Sequence, residues 1–290
     1  MFERQKIIDF IEDKHLSDGG YFFAKVLPSG GVDTYYAVKS LRLLGAKPEA
    51  ASIVSFWREN ERSGNISDLT GLYLLTKTYQ VLNIPLPKKK VYHDLLITEL
   101  HSSRLFQWRK FLTIESGTIG LYEQSVNVNY TEILEGELRE LAYLTELLLD
   151  YHIPFQKIKV VEFVLSLQNK DGGFGKMRDS QLATTYYSLY ILSLLSSCTV
   201  AKTVLPYLEK NRIHVLYLED LFWLEESLVL LHVPRVSFQY ILDFCAECAR
   251  ADGGFSRSRF MGISTLEYTY YVVQLLVRLQ TEHNFVWKDI

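Results

Sequence analysis

One motif recurs three times along the chain and constrains the fold more than any other feature of the sequence. Asp-Gly-Gly is followed each time by an aromatic residue, at 18–21, 171–174 and 252–255. Thr-Tyr-Tyr follows each copy after a similar interval, at 34–36, 185–187 and 269–271. Elements that agree in order and spacing three times indicate internal repeats, in which each copy is one supersecondary unit.

Each unit is predicted to be a helix, a glycine turn and a second helix. We expect the first helix to end at the Gly pair, because glycine reaches φ > 0 without strain. The second helix is predicted to begin near the Thr, since apolar residues such as Val38 and Leu41 follow at helical spacing. Other helices are predicted to end just before Pro48, Pro85, Pro154 and Pro234. Together these marks predict about twelve helices in six hairpins, with approximate spans 3–46, 48–84, 88–152, 155–197, 199–233 and 236–281.

Six hairpins form either an open solenoid or a closed ring. The terminal repeats of a solenoid need polar outer faces, whereas the first and last copies here are the most regular. Neighbouring tyrosines such as Tyr270-Tyr271 point about 100° apart on a helix, so burying both requires cover on two faces. We therefore predict an all-α protein, an α/α toroid forming a single domain over 1–290. A polar insertion at about 101–130 is expected to lie across one end of the ring.

Composition and charge exclude several classes of function. Lys and Arg number 31 against 34 Asp and Glu, which leaves a net charge of −3 and no field that would gather nucleic acid. The stretch Ser180–Ala201 has no charged residue, but its many Ser and Thr residues make it too polar for a span that faces lipid. Early charges argue against a cleaved signal peptide, and three cysteines fit a reducing compartment. We expect a cytoplasmic protein that neither binds nucleic acid nor spans a membrane.

Residues 168–175, Gln-Asn-Lys-Asp-Gly-Gly-Phe-Gly, together with Thr185-Tyr186-Tyr187, resemble the repeat of protein prenyltransferase β-subunits. They are also similar to the repeat of class II terpenoid cyclases, and repeat number and length extend the resemblance over nearly the whole chain. The resemblance implies a double ring with parallel inner helices around a hydrophobic cavity that holds an isoprenoid chain. A β-subunit would also need an α-subunit partner, of which the sequence gives no sign.

The catalytic motifs of both branches are altered in this chain. The cyclases use an Asp-x-Asp-Asp acid, and no such run occurs here. The prenyltransferases hold zinc through an Asp and a Cys two residues apart and a later His. Alignment keeps the Asp at Asp220 but puts Phe222 at the Cys and Tyr268 at the His. Zinc is therefore not expected, and Mg²⁺ is possible together with a diphosphate ligand.

Carboxylates recur near the predicted starts of the second helices. One interpretation is N-capping and complementarity to the helix dipole. In a ring of parallel inner helices, however, these ends meet at one mouth, where Asp33, Asp220 and Glu267 become candidate catalytic residues. Paired carboxylates also serve glycoside hydrolases, so a sugar-cleaving enzyme is a further alternative. The full set is Asp33, Asp68, Glu132, Asp179, Glu219, Asp220 and Glu267.

Cations recur after the Asp of each Asp-Gly-Gly motif, which we call the repeat Asp, and they form the second candidate site. Lys25, Arg178 and Arg259 lie seven residues after it, and Lys176 and Arg257 lie five residues after it. Salt bridges to neighbouring acids are one explanation. The other is a diphosphate-binding mouth beside the positive ends of the inner helices. The aromatic residues predicted to bind the ligand in the cavity are Tyr35, Tyr36, Tyr186, Tyr187, Trp223, Tyr268 and Tyr270.

These observations favour a protein that binds an isoprenoid diphosphate and resembles prenyltransferases or terpene cyclases. The alternative is a non-catalytic toroid that binds a lipid or acts as a scaffold, and the sequence leaves open whether the protein is an enzyme. Two smaller motifs are interpreted structurally. Cys245-Ala246-Glu247-Cys248 occupies a predicted core position, which favours packing over a redox or metal role. His152 and His232 are predicted at helix C-termini.

Overall fold

The computed structural model describes residues 2–66, 68–86, 96, 135–175, 180–197, 200–212, 215–283 and 286–287. Within these ranges the chain forms eleven α-helices and no strand beyond isolated β-bridges. The helices are α1 (Arg4–Glu12), α2 (Gly31–Leu43), α3 (Ala50–Arg62), α4 (Leu69–Val81), α5 (Glu135–Asp150), α6 (Lys157–Ser166), α7 (Leu182–Leu194), α8 (Ala201–Asn211), α9 (Leu218–Leu230), α10 (Phe238–Cys248) and α11 (Leu266–His283).

Six of these helices form a closed inner ring. Each of α2, α4, α5, α7, α9 and α11 packs against the next, and α11 returns to pack against α2. The closing contact includes Tyr36 and Tyr270, whose stacked rings have centroids 5.1 Å apart. The remaining described helices lie outside this ring. The predicted α/α toroid is thereby confirmed.

Contacts between neighbouring inner helices show that they run in the same direction. Lys77 of α4 forms ion pairs with Glu146 and Asp150 of α5, and the earlier Tyr73 stacks on the earlier Tyr143. Residues later in one helix therefore meet residues later in the other. The N-termini of the inner helices consequently lie at one end of the ring, which we call the mouth.

The repeated glycine turns join each repeat to the outer helix of the next. Gly172 and Gly253 both have φ of +92°, which an L side chain adopts only under strain. A Cβ atom on Gly172 would also collide with the carbonyl oxygen of Thr203 in α8, and one on Gly253 with that of Lys6 in α1. The turn at Gly253 in the last repeat therefore packs on α1 of the first repeat in the same way as the turn at Gly172 packs on α8.

The sequence predicts that the first helix of each unit ends at the glycine pair, and the structure shows an earlier end. The helix α1 ends at Glu12, well before Gly19, and an antiparallel bridge from His15 to Tyr21 closes the intervening turn. That prediction was wrong because the turn needs its own backbone bonds before it reaches the glycines. In each copy the repeat Asp accepts a hydrogen bond from the N–H of the second Gly, at 3.0–3.2 Å.

The recurrence of a Thr after each glycine turn has a direct structural cause. Its hydroxyl accepts a hydrogen bond from the backbone N–H of the repeat aromatic, at distances of 3.0, 3.0 and 3.3 Å in the three copies. A serine five residues before each Thr donates to the repeat Asp, a relationship that the sequence analysis missed. These serines are Ser29, Ser180 and Ser264.

The inner helices end earlier than the prolines suggested. The helices α4, α5 and α9 end at Val81, Asp150 and Leu230, and the left-handed residues Asn83, His152 and His232 follow, with φ of 54–56°. In α5, Ile153 N–H then donates to the carbonyl of Leu148 at 2.8 Å, which satisfies an otherwise unpaired helix-end carbonyl. The predicted ends were late because the chain already reverses before it reaches the proline.

Three further predictions concern membrane spans, the cysteines and the insertion. Within the described ranges no helix is long and apolar enough to cross a membrane. Cys245 and Cys248 are buried free thiols, and burial raises the pKa of Cys248 to about 11, which fits a packing role. The predicted insertion at about 101–130 falls outside the described residues.

Candidate functional site

The inner ring encloses a cavity of about 200 Å³ whose wall is largely aromatic. Every inner helix contributes at least one ring. The aromatic lining residues are Tyr35, Tyr36, Tyr73, Tyr143, Tyr186, Tyr187, Tyr190, Phe222, Trp223, Tyr270 and Tyr271. Larger hollows near Val233 and near Tyr240 lie outside the ring and have fewer aromatic residues in their linings. The central cavity is therefore the candidate site.

Ring-to-ring contacts across helix interfaces hold this wall in place. Tyr73 stacks on Tyr143 with centroids 3.7 Å apart, and Phe222 stacks on Tyr271 at 4.2 Å. Such contacts are each worth about 0.5–1.5 kcal/mol beyond the burial of the rings. Burial raises the pKa of Tyr143 and that of Tyr270 to about 12. These hydroxyls therefore keep their protons at neutral pH and offer hydrogen-bond donors to a ligand.

Six of the seven aromatic residues predicted for the cavity line it in the structure. The exception is Tyr268, which stands near the mouth with its ring edge-on to Tyr271 at 6.2 Å. The lining also contains charged and amide side chains that the sequence analysis missed, namely Lys39, Glu226, Gln274 and Arg278. The sequence contains a signal for two of them. Lys39 and Glu226 each lie four residues, about one helical turn, after an aromatic residue of the wall, which puts them on the same face of the helix.

Charged groups on the inner helices are mostly neutralised by close partners. Arg278 binds Glu226 through two nitrogens, each 2.8 Å from a carboxylate oxygen. Lys77 lies 2.6 Å from Glu146, which also accepts a hydrogen bond from Tyr73 at 2.9 Å. The ring therefore has a polar zone beyond its aromatic belt, toward the C-terminal ends of the helices.

Lys39 of α2 lies among aromatic rings. Its Nζ donates to the hydroxyl of Tyr35 at 3.1 Å and lies 4.8 Å from the ring centroid of Tyr270. Burial alone would lower the pKa of Lys39, but the surrounding oxygens of Tyr270 and Tyr35 outweigh it, and the net shift is upward. The side chain therefore brings a positive charge to the cavity wall at neutral pH.

The candidate catalytic carboxylates Asp33 and Glu267 lie in the first turns of α2 and α11, which pack together at the mouth. Burial raises the pKa of Asp33 to about 6, and the charge of Glu267 adds to the shift. Glu267 accepts hydrogen bonds from Tyr271 at 2.7 Å and from Tyr36 at 3.4 Å. Glu267 thus contacts the edge of the tyrosine wall.

The capping interpretation holds for Asp68, whose side chain accepts a hydrogen bond from Gly71 N–H at 2.8 Å. Asp33, Glu219 and Asp220 do not cap a helix, because Gly30 and Tyr217 take the N-cap positions of α2 and α9. They lie in the first turns instead, where a negative charge complements the helix dipole, so that part of the interpretation holds. Glu267 also lies within a first turn. Glu132 and Asp179 fall outside the described residues.

The described cations of the predicted diphosphate site occupy three separate ion pairs. Lys25 binds Asp13 at 2.6 Å, Arg257 binds Glu219 at 2.5 Å, and Arg259 lies 3.4 Å from Glu247. Their side chains are about half exposed, and the residues described as lining the cavity do not include them. The other two, Lys176 and Arg178, fall outside the described residues.

The positions aligned with a zinc site carry the wrong donors. Phe222 fills the Cys position with a ring packed on Tyr271, and an aromatic hydrocarbon offers no electron pair to a metal. Tyr268 fills the His position, and burial raises its pKa to about 12, so it is not a phenolate at neutral pH. In the described part of the chain no three His, Cys, Asp or Glu side chains cluster to hold a metal. The residues present do not fit zinc.

Comparisons with known proteins agree with this architecture. The chain is similar to the solved structure of Candida albicans protein geranylgeranyltransferase-I complexed with GGPP, with a TM-score of 0.66 and 15% identity. The match covers 99% of this chain and 93% of the other, and at this identity it shows the fold alone. No curated protein sequence matches the chain significantly.

The family model described as the prenyltransferase alpha-alpha toroid domain matches residues 2–69, 138–214 and 207–289. These segments include all three glycine turns and most of the inner ring. Because they span well over half of the chain, the protein belongs to the family of the prenyltransferase alpha-alpha toroid domain.

Proposed function

We propose that this protein binds an isoprenoid, or a closely similar branched hydrocarbon, in its central cavity. The observation that carries the proposal is the wall of aromatic rings contributed by all six inner helices. Such a wall removes apolar surface from water at about 0.8 kcal/mol per buried methylene. The GGPP in the Candida albicans structure supports the same class of ligand.

The size of the cavity favours a short chain. At about 200 Å³ it lies below the ~300–1,000 Å³ typical of pockets for drug-sized ligands. A ten-carbon prenyl chain suits this volume better than a twenty-carbon chain, which would require side chains of the wall to move. The chain-length preference is therefore part of the proposal.

Binding is better supported than zinc-dependent prenyl transfer, because Phe222 and Tyr268 occupy two of the three zinc-ligand positions. A role for Asp33, Asp220 or Glu267 in catalysis stays a prediction. A diphosphate site with Mg²⁺ at the repeated cations also stays a prediction. A sugar-cleaving function lacks support, since the one carboxylate described in the cavity wall, Glu226, is held by Arg278.

Calorimetric titration with geraniol, farnesol and geranylgeraniol tests the proposal. We expect the tightest binding for geraniol, and a loss of about tenfold for Tyr186→Ala or Tyr270→Ala, which remove parts of the wall. Tyr240→Ala removes a tyrosine from the outer helix α10 and serves as the matched control, with unchanged affinity. Failure of all three alcohols to bind the wild-type protein would refute the proposed function.

A further inference from the structure

Lys39 is unusual among the charged groups of the inner ring. Within the described residues, no carboxylate oxygen lies within 4 Å of its Nζ, whereas Lys77 has two carboxylate partners and Arg278 has one. The acid whose charge Lys39 affects, Glu226, is already held by both terminal nitrogens of Arg278. The positive charge of Lys39 therefore has no close counter-ion in this part of the chain.

The surroundings of Lys39 stabilise an ammonium group without saturating it. The ring centroid of Tyr270 lies 4.8 Å from Nζ, and a ring face attracts a cation. An ammonium group has three N–H donors, and the hydroxyl of Tyr35 accepts from one of them. Because Lys39 also lines the cavity, donors remain for a bound molecule.

We infer that Lys39 binds an acidic oxygen of the ligand, so that the cavity selects a short branched hydrocarbon with a carboxylate or phosphate head group. The inference rests on the proposed function and adds the head group and its orientation. The side chain of Lys39 is partly buried, and an oxyanion beside Nζ would supply the counter-ion that its charge lacks. The apolar tail would then contact the tyrosine wall.

The position of Lys39 along α2 determines which way such a ligand points. Lys39 lies eight residues after Gly31, the first residue of α2, and a helix rises about 1.5 Å per residue, so this is about 12 Å from the mouth. The head group would therefore lie deep in the ring. The competing location for the head group is the predicted diphosphate site, at Arg257 and Arg259, which we call the rim arginines. Each of them already binds a glutamate.

Three ligands with the same ten-carbon skeleton separate these possibilities: geraniol, geranic acid and geranyl diphosphate. Affinities are measured by calorimetry for the wild-type protein, Lys39→Met, Lys39→Arg and the double variant Arg257→Ala/Arg259→Ala. Lys157→Met is the matched control, because Lys157 also lies over an aromatic ring, that of Phe155, but on the outer helix α6.

The wild-type protein is expected to bind geranic acid about tenfold more tightly than geraniol, which corresponds to one charge-assisted hydrogen bond. Lys39→Met should abolish that difference by removing the partner of the carboxylate, and Lys39→Arg should retain it. The rim double variant and Lys157→Met should behave like the wild type. A preference for the diphosphate alone would identify phosphate as the head group, and a preference for both anions would identify any oxyanion.

Two results would overturn the inference. One is equal affinity of the wild-type protein for geraniol and both anions, which requires no variant to fold. The other is loss of anion affinity in the rim double variant but not in Lys39→Met. Geraniol binding that is independent of Lys39, without any anion preference, would overturn the inference and leave the proposed function standing. No binding of any of the three compounds would refute both.

Discussion

The ring of Phe222 lies against the ring of Tyr271, with centroids 4.2 Å apart and planes inclined by 21°. Phe222 stands where the family resemblance puts a zinc-binding cysteine, and Tyr271 stands three residues after the position of the missing histidine. The stacked rings join α9 to α11 and form part of the aromatic wall of the cavity.

Removal of metal is expected to leave the protein unchanged. A structural or catalytic zinc stabilises the folded state that holds it, so chelation of such an ion lowers the melting temperature. With Phe222 and Tyr268 at two ligand positions, excess chelator should change neither the melting temperature nor the affinity for geraniol. Calorimetric melting with and without EDTA measures this. A fall in melting temperature that added zinc restores would contradict the prediction.

The seam between the last and first repeats should be sensitive to one added methyl group. Gly253→Ala meets a strained φ of +92° and the carbonyl oxygen of Lys6, so we expect a loss of about 3 kcal/mol in the free energy of unfolding. Gly64→Ala is the control, because Gly64 has φ of +73° but no atom within 4 Å of the new methyl. Its loss should be about 1 kcal/mol, from strain alone. Equal losses in urea denaturation would show that packing on α1 is unimportant.

A buried ion pair on the outer side of α9 should be costly to break. Glu225 is fully buried and binds Arg235 at 2.6 Å, and Arg235 also binds Glu282 at 2.8 Å. Arg235→Met should cost about 3–5 kcal/mol, because it leaves a buried carboxylate without a cation. Adding Glu225→Gln should recover most of that loss.

The matched control for Arg235→Met is Arg62→Met, which breaks an exposed pair with Glu59 and should have no measurable effect. Chemical denaturation of the three variants and the wild-type protein at neutral pH decides the matter. If the double variant were as unstable as Arg235→Met alone, the lost charge partner would not be the cause.

Asp33 should make stability depend on pH in a direction opposite to that of an ion-paired carboxylate. Burial raises its pKa in the folded protein from 3.8 to about 6. Between these values the folded state holds a proton that the unfolded state releases, so stability falls as pH rises through this window. The penalty is fully present above pH 6 and absent below about pH 4.

The variant Asp33→Asn removes this titration and keeps an oxygen acceptor. It should therefore be more stable than the wild type at pH 7 and equal to it near pH 4, with other titrating groups cancelling in the comparison. Urea denaturation at several pH values between 4 and 7 gives the two curves. Parallel curves would mean that Asp33 is solvated rather than buried.

The repeats made the toroid predictable because their residues act locally. The repeat Asp, the second Gly and the Thr take part in hydrogen bonds within a single repeat. Their order along the chain therefore predicts the geometry of the turn. The tyrosines of the wall were predictable for a similar reason, since adjacent apolar positions on one helix require cover on two faces. Local rules were sufficient for these features.

The charged part of the site was not predictable in this way. Arg278 meets Glu226 from another helix, and Tyr36 meets Glu267 across 231 positions of sequence. An isolated lysine such as Lys39 is usually solvated, and only closure of the ring puts it beside the Tyr270 ring. Partners brought together by closure leave no pattern within a single repeat.

The closed ring changes what a local defect does to this molecule. In a linear array the end units have one neighbour and fray first, because stability is a sum over units and their interfaces. Here Gly253 joins the last repeat to α1, so the described end repeats are each held from two sides. Breaking one junction would convert the ring into a C-shaped arc whose helices keep their remaining neighbours. Such an arc would retain its helical signal while its central cavity opened to water.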